Sequence, residues 1–273
     1  MLRERTQALL SRHDITLDPS LDEQQLVDEE VVTKLVDVSG VGGDDAVLEV
    51  GPGVGNITEE LLRRAKTVTC IEKNPKYIPV LRERLRNYTN LVVVLGDALH
   101  ERLPRSNRLV SNLPYMICEA FLQRTFRVEM KSAAFIVPRG FAEILEADAG
   151  GREYSKLSLQ AQLFYDQEIL DEVQPSAYLP EPKTDTCIMS LVPRASSTAT
   201  DEALKQLFRQ GDKLSKNALR EALIRANICD TKNQAVSFIA ESGVPAETLG
   251  RRVTRLSLKD IKSLINWLRA LAD

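Results

Sequence analysis

Between Ala46 and Val137 the chain carries the short apolar runs AVLEV, TVTCIE, LVVVL, RLVSN and SAAFIV. Short segments of five or six residues with apolar, β-branched-rich centres, bounded by turn signals, read as strands. Amphipathic stretches lie between them: ITEELLRRA, NPKYIPVLRERLRNY from its Asn-Pro start, and EAFLQRTF. Strands alternating with helices at this interval imply an α/β fold with a doubly wound parallel sheet. Ahead of it, residues 1–45 read as helical, with a polar loop at His13–Ser20, a second helix through LVDEEVVTKLVDVSG and breaks at Gly40, Gly42 and Gly43. YSKLSLQAQLFYDQEILDEV and TDTCIMSLVP add a later helix and strands. The small, polar ASSTATDE at 195–202 reads as a linker, so residues 1–194 form one domain and 203–273 a helical second one.

Several function classes are excluded by composition. With 43% hydrophobic and 27% charged residues, a chain of 273 residues is an ordinary globular protein. Its net charge of −3 gives no global attraction for nucleic acid, so any such surface must be local. Cys70, Cys118, Cys187 and Cys229 are widely spaced, and only His13 and His100 could add imidazole, so neither a metal site nor a disulfide framework is expected. The cysteines are expected as reduced, near-core residues. A charged N-terminus and the lack of a long apolar run point to a cytoplasmic protein away from membranes.

Chemistry concentrates where the strands end. LEVGPGVGNIT sets Gly51, Gly53 and Gly55 between a strand and a helix, so the backbone can approach a ligand closely. Glu72 ends the next strand, 21 residues beyond Gly51, where a carboxylate can accept both hydroxyls of an adenosine ribose. These features suit a dinucleotide or S-adenosylmethionine (SAM) equally. The spacing is G-x-G-x-G, however, not the G-x-G-x-x-G that presents a helix to pyrophosphate. Asp97, after the third strand, could accept from an adenine amino group; a loop cap is its simpler role. Glycine, Glu72 and Asp97 after successive strands favour SAM. A nicotinamide oxidoreductase would also need a hydride-relay histidine, and His100 is expected to be a surface residue.

The fourth strand ends in Asn112-Leu113-Pro114-Tyr115. Ligands of such sheets bind outside the carboxyl ends of strands, so this tetrapeptide should face the methyl donor. An Asn oxygen and a backbone carbonyl beside proline can accept the hydrogens of an exocyclic base amine, aiming its lone pair at the methyl group. Proline removes a competing N–H, and Tyr115 offers a face for the base. The rest is positioning, without a metal or strong base.

In these motifs the chain resembles the ribosomal RNA adenine dimethyltransferases. Leu48 to Thr58, Glu72, Gly96 to Ala98 and Asn112 to Tyr115 are similar to that family's donor and target motifs. YSKLS (154–158), PSAYLPEPK (175–183), KNALREAL (216–223) and RLS (255–257) continue the resemblance over nearly the whole chain. It implies a Rossmann-like class I methyltransferase domain with a small all-α C-terminal domain that helps to hold RNA. The implied activity is SAM-dependent (di)methylation of adenine N6 in small-subunit rRNA. The donor would meet Gln24, Leu26, Gly51, Gly53, Glu72, Asp97 and Asn112, and the target base would meet Asn112, Leu113, Pro114 and Tyr115. Small-subunit rRNA or a pre-ribosomal particle would be the partner of a monomeric enzyme.

Departures cluster around the expected target pocket. The family's Gly-Gln-x-Phe-Leu appears as Asp22-Glu23-Gln24-Gln25-Leu26, its Ser after NLPYxI as Cys118, and the Phe of its Pro-Ser-Ala-Phe as Tyr178. Val137-Pro138-Arg139-Gly140-Phe141 stands where Gln-Lys/Arg-Glu is usual. Drift within the adenine family, a change of target to cytosine N4, and loss of catalysis in an assembly or transcription factor all stay open at this level. For RNA, Lys205, Arg209, Lys213, Lys216, Arg220 and Arg225 fall in one helical stretch, and Arg251, Arg252 and Arg255 cluster later. Lys216 and Arg220 share a helix face, and with Arg251 and Arg252 they are the expected phosphate contacts, though solvated cations are the simpler alternative.

Overall fold

The computed structural model describes residues 1–18 and 22–272; Pro19 and Ser20 of the expected polar loop lie outside them. The chain divides into two compact units: Met1–Glu146 with Asp166–Pro193, and Ala147–Tyr165 with Arg194–Asp273.

In chain order the first unit begins with α1 (Leu2–Arg12), β1 (Gln25–Leu26), α2 (Glu29–Ser39), β2 (Ala46–Val50), α3 (Asn56–Arg64), β3 (Thr67–Glu72), α4 (Tyr77–Arg84) and β4 (Leu91–Leu95). It continues through β5 (Arg108–Asn112), α5 (Cys118–Thr125), β6 (Ser132–Pro138) and α6 (Arg139–Glu146). After α7 (Lys156–Phe164) come β7 (Tyr165–Val173), β8 (Tyr178–Leu179) and β9 (Thr186–Pro193). Seven strands form one sheet in the order β4-β3-β2-β5-β6-β9-β7, with β4 to β6 parallel and β9 antiparallel to β6. The fold is α/β, with a parallel-stranded core as the strand–helix alternation implies. Its order reverses between β2 and β5, and such a reversal opens a crevice at the carboxyl ends of the strands. Register places Val50 beside Ile71 and Glu72 beside Leu95, so the loops after β2, β3 and β4 leave at one edge.

Buried Leu35, Leu61, Leu81, Val110 and Ile136 tie helices to the sheet in one apolar cluster. LVVVL differs from the two-sided burial its composition implies. It is the edge strand, and Val92 and Leu95 are 52% and 55% exposed. The second helix also starts later than its sequence pattern, because Leu26 pairs with Tyr178 in a two-stranded ribbon and Asp28 caps α2 through the Glu30 and Val31 amides. Likewise α4 begins at Tyr77, since the Asn74 side chain accepts the Lys76 amide in a local turn.

Within the second unit, α8 (Ala199–Phe208), α9 (Ser215–Arg225), α10 (Lys232–Glu241), α11 (Ala246–Gly250) and α12 (Leu258–Ala272) follow α7. Thr198 caps α8 through the Asp201 amide, so helix begins inside the polar stretch 195–202. The basic stretch is two helices, α8 and α9, separated at Arg209–Leu214, with α8 packed on α9 and α12. All four cysteines are free and buried. Among the described residues, no helix is long and apolar enough to cross a membrane, and no group of three or more His, Cys, Asp or Glu could hold a metal ion.

Candidate active site

The turn after β2 is shaped by glycine. Gly51, Gly53 and Gly55 have φ of +66°, +53° and +84°. The left-handed backbone at Gly53 favours glycine, and a Cβ there would also displace the end of the Gln25 side chain. Glu72 reaches this turn from the end of β3: its Oε2 accepts the Gly53 N–H (3.1 Å) and its Oε1 the Asn74 N–H (2.7 Å). Burial raises the Glu72 pKa, opposed by the Asn74 and Gly53 amides. The carboxylate keeps acceptor capacity for a ligand hydroxyl. Asp97 lies after β4. Its Oδ1 accepts the Leu99 N–H (2.8 Å) and its Oδ2 meets Lys73 Nζ (3.0 Å); the Leu99 amide and then Lys73 hold its pKa low. It therefore caps its loop as well as facing the cavity. His100 is an exposed neighbour of Asp97.

These groups surround a cavity of about 480 Å³. It gathers all seven residues expected to meet the donor: Gln24, Leu26, Gly51, Gly53, Glu72, Asp97 and Asn112. Of the tetrapeptide, Asn112 and Pro114 line it, whereas Leu113 is buried and gives its N–H to Ile136 O (3.1 Å). Asn112 Oδ1 is buried with no hydrogen-bond partner. The Tyr115 hydroxyl is also buried, beside Tyr178; burial, then that neighbour, raises its pKa. Pro114 O accepts the Ile117 N–H (3.0 Å), closing a tight turn at Tyr115–Ile117.

Four further residues that line the cavity were not among the expected site residues. Asp22 Oδ2 accepts the Met116 N–H at 2.8 Å. Glu23 accepts from Asn74 Nδ2 (2.8 Å) and pairs with Lys76 (2.7 Å). The Tyr77 hydroxyl is buried without a partner. An Asn-Pro turn directly after an acidic strand end was the available signal for Asn74 and Tyr77. Gln25, which departs from the family aromatic, uses its Oε1 to accept the Val54 N–H (3.0 Å) and its Nε2 to donate to Glu23 O (2.9 Å). It thus supports the glycine turn. Tyr178 is fully buried with its hydroxyl on Thr186 (2.8 Å), and Cys118 Sγ lies 3.6 Å from Pro114 O. Arg139 pairs with Glu143 and Glu172. The departures at Asp22, Glu23, Gln25, Cys118, Tyr178 and Arg139 are thus engaged in contacts within the fold.

Considered alone, the second unit sorts its cations. Arg251 is engaged by Asp260 (3.0 Å) and Glu247. Lys213 pairs with Glu221 (2.8 Å). Among the described residues Lys216, Arg220 and Arg252 have no carboxylate partner, and Lys216 and Arg252 are exposed.

The cavity and its donor set fit SAM. The volume suits a ligand of that size, Glu72 can take ribose hydroxyls, and an orphaned Asn112 oxygen waits beyond the glycine turn. A family model described as ribosomal RNA adenine dimethylase matches residues 16–266. A probable ribosomal RNA small subunit methyltransferase A of Pyrococcus abyssi is 34% identical, covering 98% of this chain and 98% of the relative. Its counterpart in Methanothermobacter thermautotrophicus is 29% identical over 99% and 98%. Among solved structures, the 23S rRNA methyltransferase ErmE is similar at a TM-score of 0.60 and 25% identity, covering 89% of this chain and 99% of ErmE. A dimethyladenosine transferase from Plasmodium falciparum shares the fold at a TM-score of 0.61 and 23% identity, over 89% and 97%. Matched along almost its full length by that family model and those relatives, the chain belongs to the ribosomal RNA adenine dimethylase family.

Proposed function

We propose that this protein is a SAM-dependent enzyme that dimethylates the N6 amine of an adenine in small-subunit rRNA. One observation carries the assignment of the site: Asn112, which lines the cavity that also holds Glu72, has a side-chain oxygen, Oδ1, buried without a hydrogen-bond partner. An acceptor left buried without a donor costs about 1–3 kcal/mol, and a substrate amine supplies that donor. SAM, when bound, supplies a sulfonium methyl group. Gly51, Gly53, Gln24, Leu26, Glu72 and Asp97 hold it, with Glu72 on the ribose and Asp97 at the adenine end. Asn112 accepts one hydrogen of the target amine and turns its lone pair toward the methyl, while Pro114 and Tyr115 support the base. Lys216, Arg220 and Arg252 meet RNA phosphates, and Arg251 serves its own unit. The enzyme works in the cytoplasm as a monomer.

The test uses labelled SAM and small-subunit particles lacking the modification, with digestion to nucleosides. Label in N6,N6-dimethyladenosine is expected. Label in N4-methylcytidine would overturn the target base, and label only in large-subunit RNA would overturn the particle. On the donor side, Glu72→Gln is expected to weaken SAM binding about tenfold, because hydrogen bonds to a charged acceptor are worth about 1.5–3 kcal/mol. An unchanged affinity by calorimetry would remove Glu72 from the ribose.

A further inference from the structure

Residue 22 keeps a backbone conformation that its side chain disfavours. Asp22 has φ +56°, in the left-handed region, although it is not glycine. Aspartate tolerates that region better than most residues, and such strain persists only where surrounding structure imposes it. Here the side chain gains a specific bond, from the Met116 N–H to Oδ2 at 2.8 Å, across 94 residues of sequence. Met116 sits in the tight turn Tyr115–Ile117 that follows Pro114 and leads into α5. Amides at the start of a helical turn have no intrahelical acceptor, so Asp22 caps this turn from a distant segment.

The same segment is fastened at its other end. Gln25 accepts the Val54 N–H, Asn56 Nδ2 donates to Leu26 O (2.6 Å), and Glu23 is held by Asn74 and Lys76. Residues 22–26 thus join the turn that carries the base platform to the loops that carry the donor. All five line the cavity. Without Asp22 the donor side keeps every one of its own bonds, and only the base side loses its tie.

We propose that Asp22 is a positioning residue for the target base, fixing the Tyr115–Ile117 turn through the Met116 amide so that the base platform and Asn112 keep a set distance from the donor loops. The inference rests on the reading that Asn112–Tyr115 receives the base.

Glycine and asparagine at position 22 separate this role from a purely structural one. Asp22→Gly removes the strain and the acceptor together; Asp22→Asn keeps an acceptor and tolerates the left-handed backbone. The glycine variant is expected to melt at or above the wild-type temperature and to bind SAM within twofold of wild type. It is expected to transfer methyl groups to small-subunit particles at least tenfold more slowly in single turnover. Asp22→Asn is expected to recover most of that loss, and exchange of the Met116 amide should be fast only in the glycine variant. A glycine variant with wild-type transfer would overturn the proposal, as would an asparagine variant as slow as glycine, or a loss traced entirely to SAM affinity. Asn112→Ala, assayed on the same particles, keeps the two claims apart. If it transfers normally the site reading fails; if it is inactive while Asp22→Gly is normal, only the role of Asp22 fails.

Discussion

Asn112→Ala is expected to slow methyl transfer by about 10²–10³-fold, the usual scale for deleting one preorganised polar group aimed at the reacting atoms, without loss of thermal stability. The two effects have one origin. Asn112 Oδ1 is buried and unpartnered in the free protein, so deleting it removes an unmet acceptor from the folded state and should leave the melting temperature unchanged or slightly higher. In the proposed complex the same atom would accept a hydrogen of the target amine, so its loss would be felt when the nitrogen must become pyramidal. A structural asparagine would behave in the opposite way, with stability falling and rate following it. The measurement is single-turnover transfer to unmodified particles, beside calorimetric SAM binding and a thermal melt. Transfer within a few-fold of wild type would refute the role, and so would a large drop in melting temperature that accounts for the lost activity.

Much of this site can be read in the linear chain because parallel strands advertise themselves. SAAFIV is buried on both faces, so its apolar run is nearly uninterrupted, and the residues just after each parallel strand must lie at the shared carboxyl edge. Gly51, Glu72, Asp97 and Asn112 were visible for that reason. LVVVL carries the same signal while one face is open, since composition cannot distinguish an edge strand from a central one. Contacts made at long range left no local trace. The pairing of Gln25–Leu26 with Tyr178–Leu179 is two residues long on each side. The clasp from Asp22 to Met116 depends on a left-handed aspartate that no periodicity marks. The bond of Arg251 to Asp260 likewise depends on how a helix end folds back, whereas its i,i+4 pairing with Glu247 was legible in the spacing.

Glu49 illustrates the same limit and gives the other large effect. It lies within LEVGPG, two residues before Gly51, and nothing in the sequence separates it from an ordinary motif residue. In the structure it is 1% exposed, with Thr58 donating to its Oε2 (2.7 Å) and Cys70 Sγ at 3.4 Å. Burial pushes its pKa up from 4.5 to about 7, against the bonds from Thr58 and Cys70. The folded state therefore holds this proton more tightly than the unfolded chain. Stability is greatest below the unfolded value, falls as pH rises between about 4.5 and 7, and levels off above. At about 1.4 kcal/mol per pH unit the full loss is about 3 kcal/mol. Glu49→Gln keeps an acceptor for Thr58 and cannot ionise. It is expected to match the wild type near pH 4 and to exceed it by up to about 3 kcal/mol at pH 8 in denaturant titrations. Some slope should survive, because Glu72 is shifted in the same direction. Parallel stability curves for the two proteins across that range would mean that Glu49 is ionised at neutral pH. The link from Thr58 on α3 to Glu49 on β2, which closes the arch over the glycine turn, would then be a bond to a carboxylate rather than to a neutral acid.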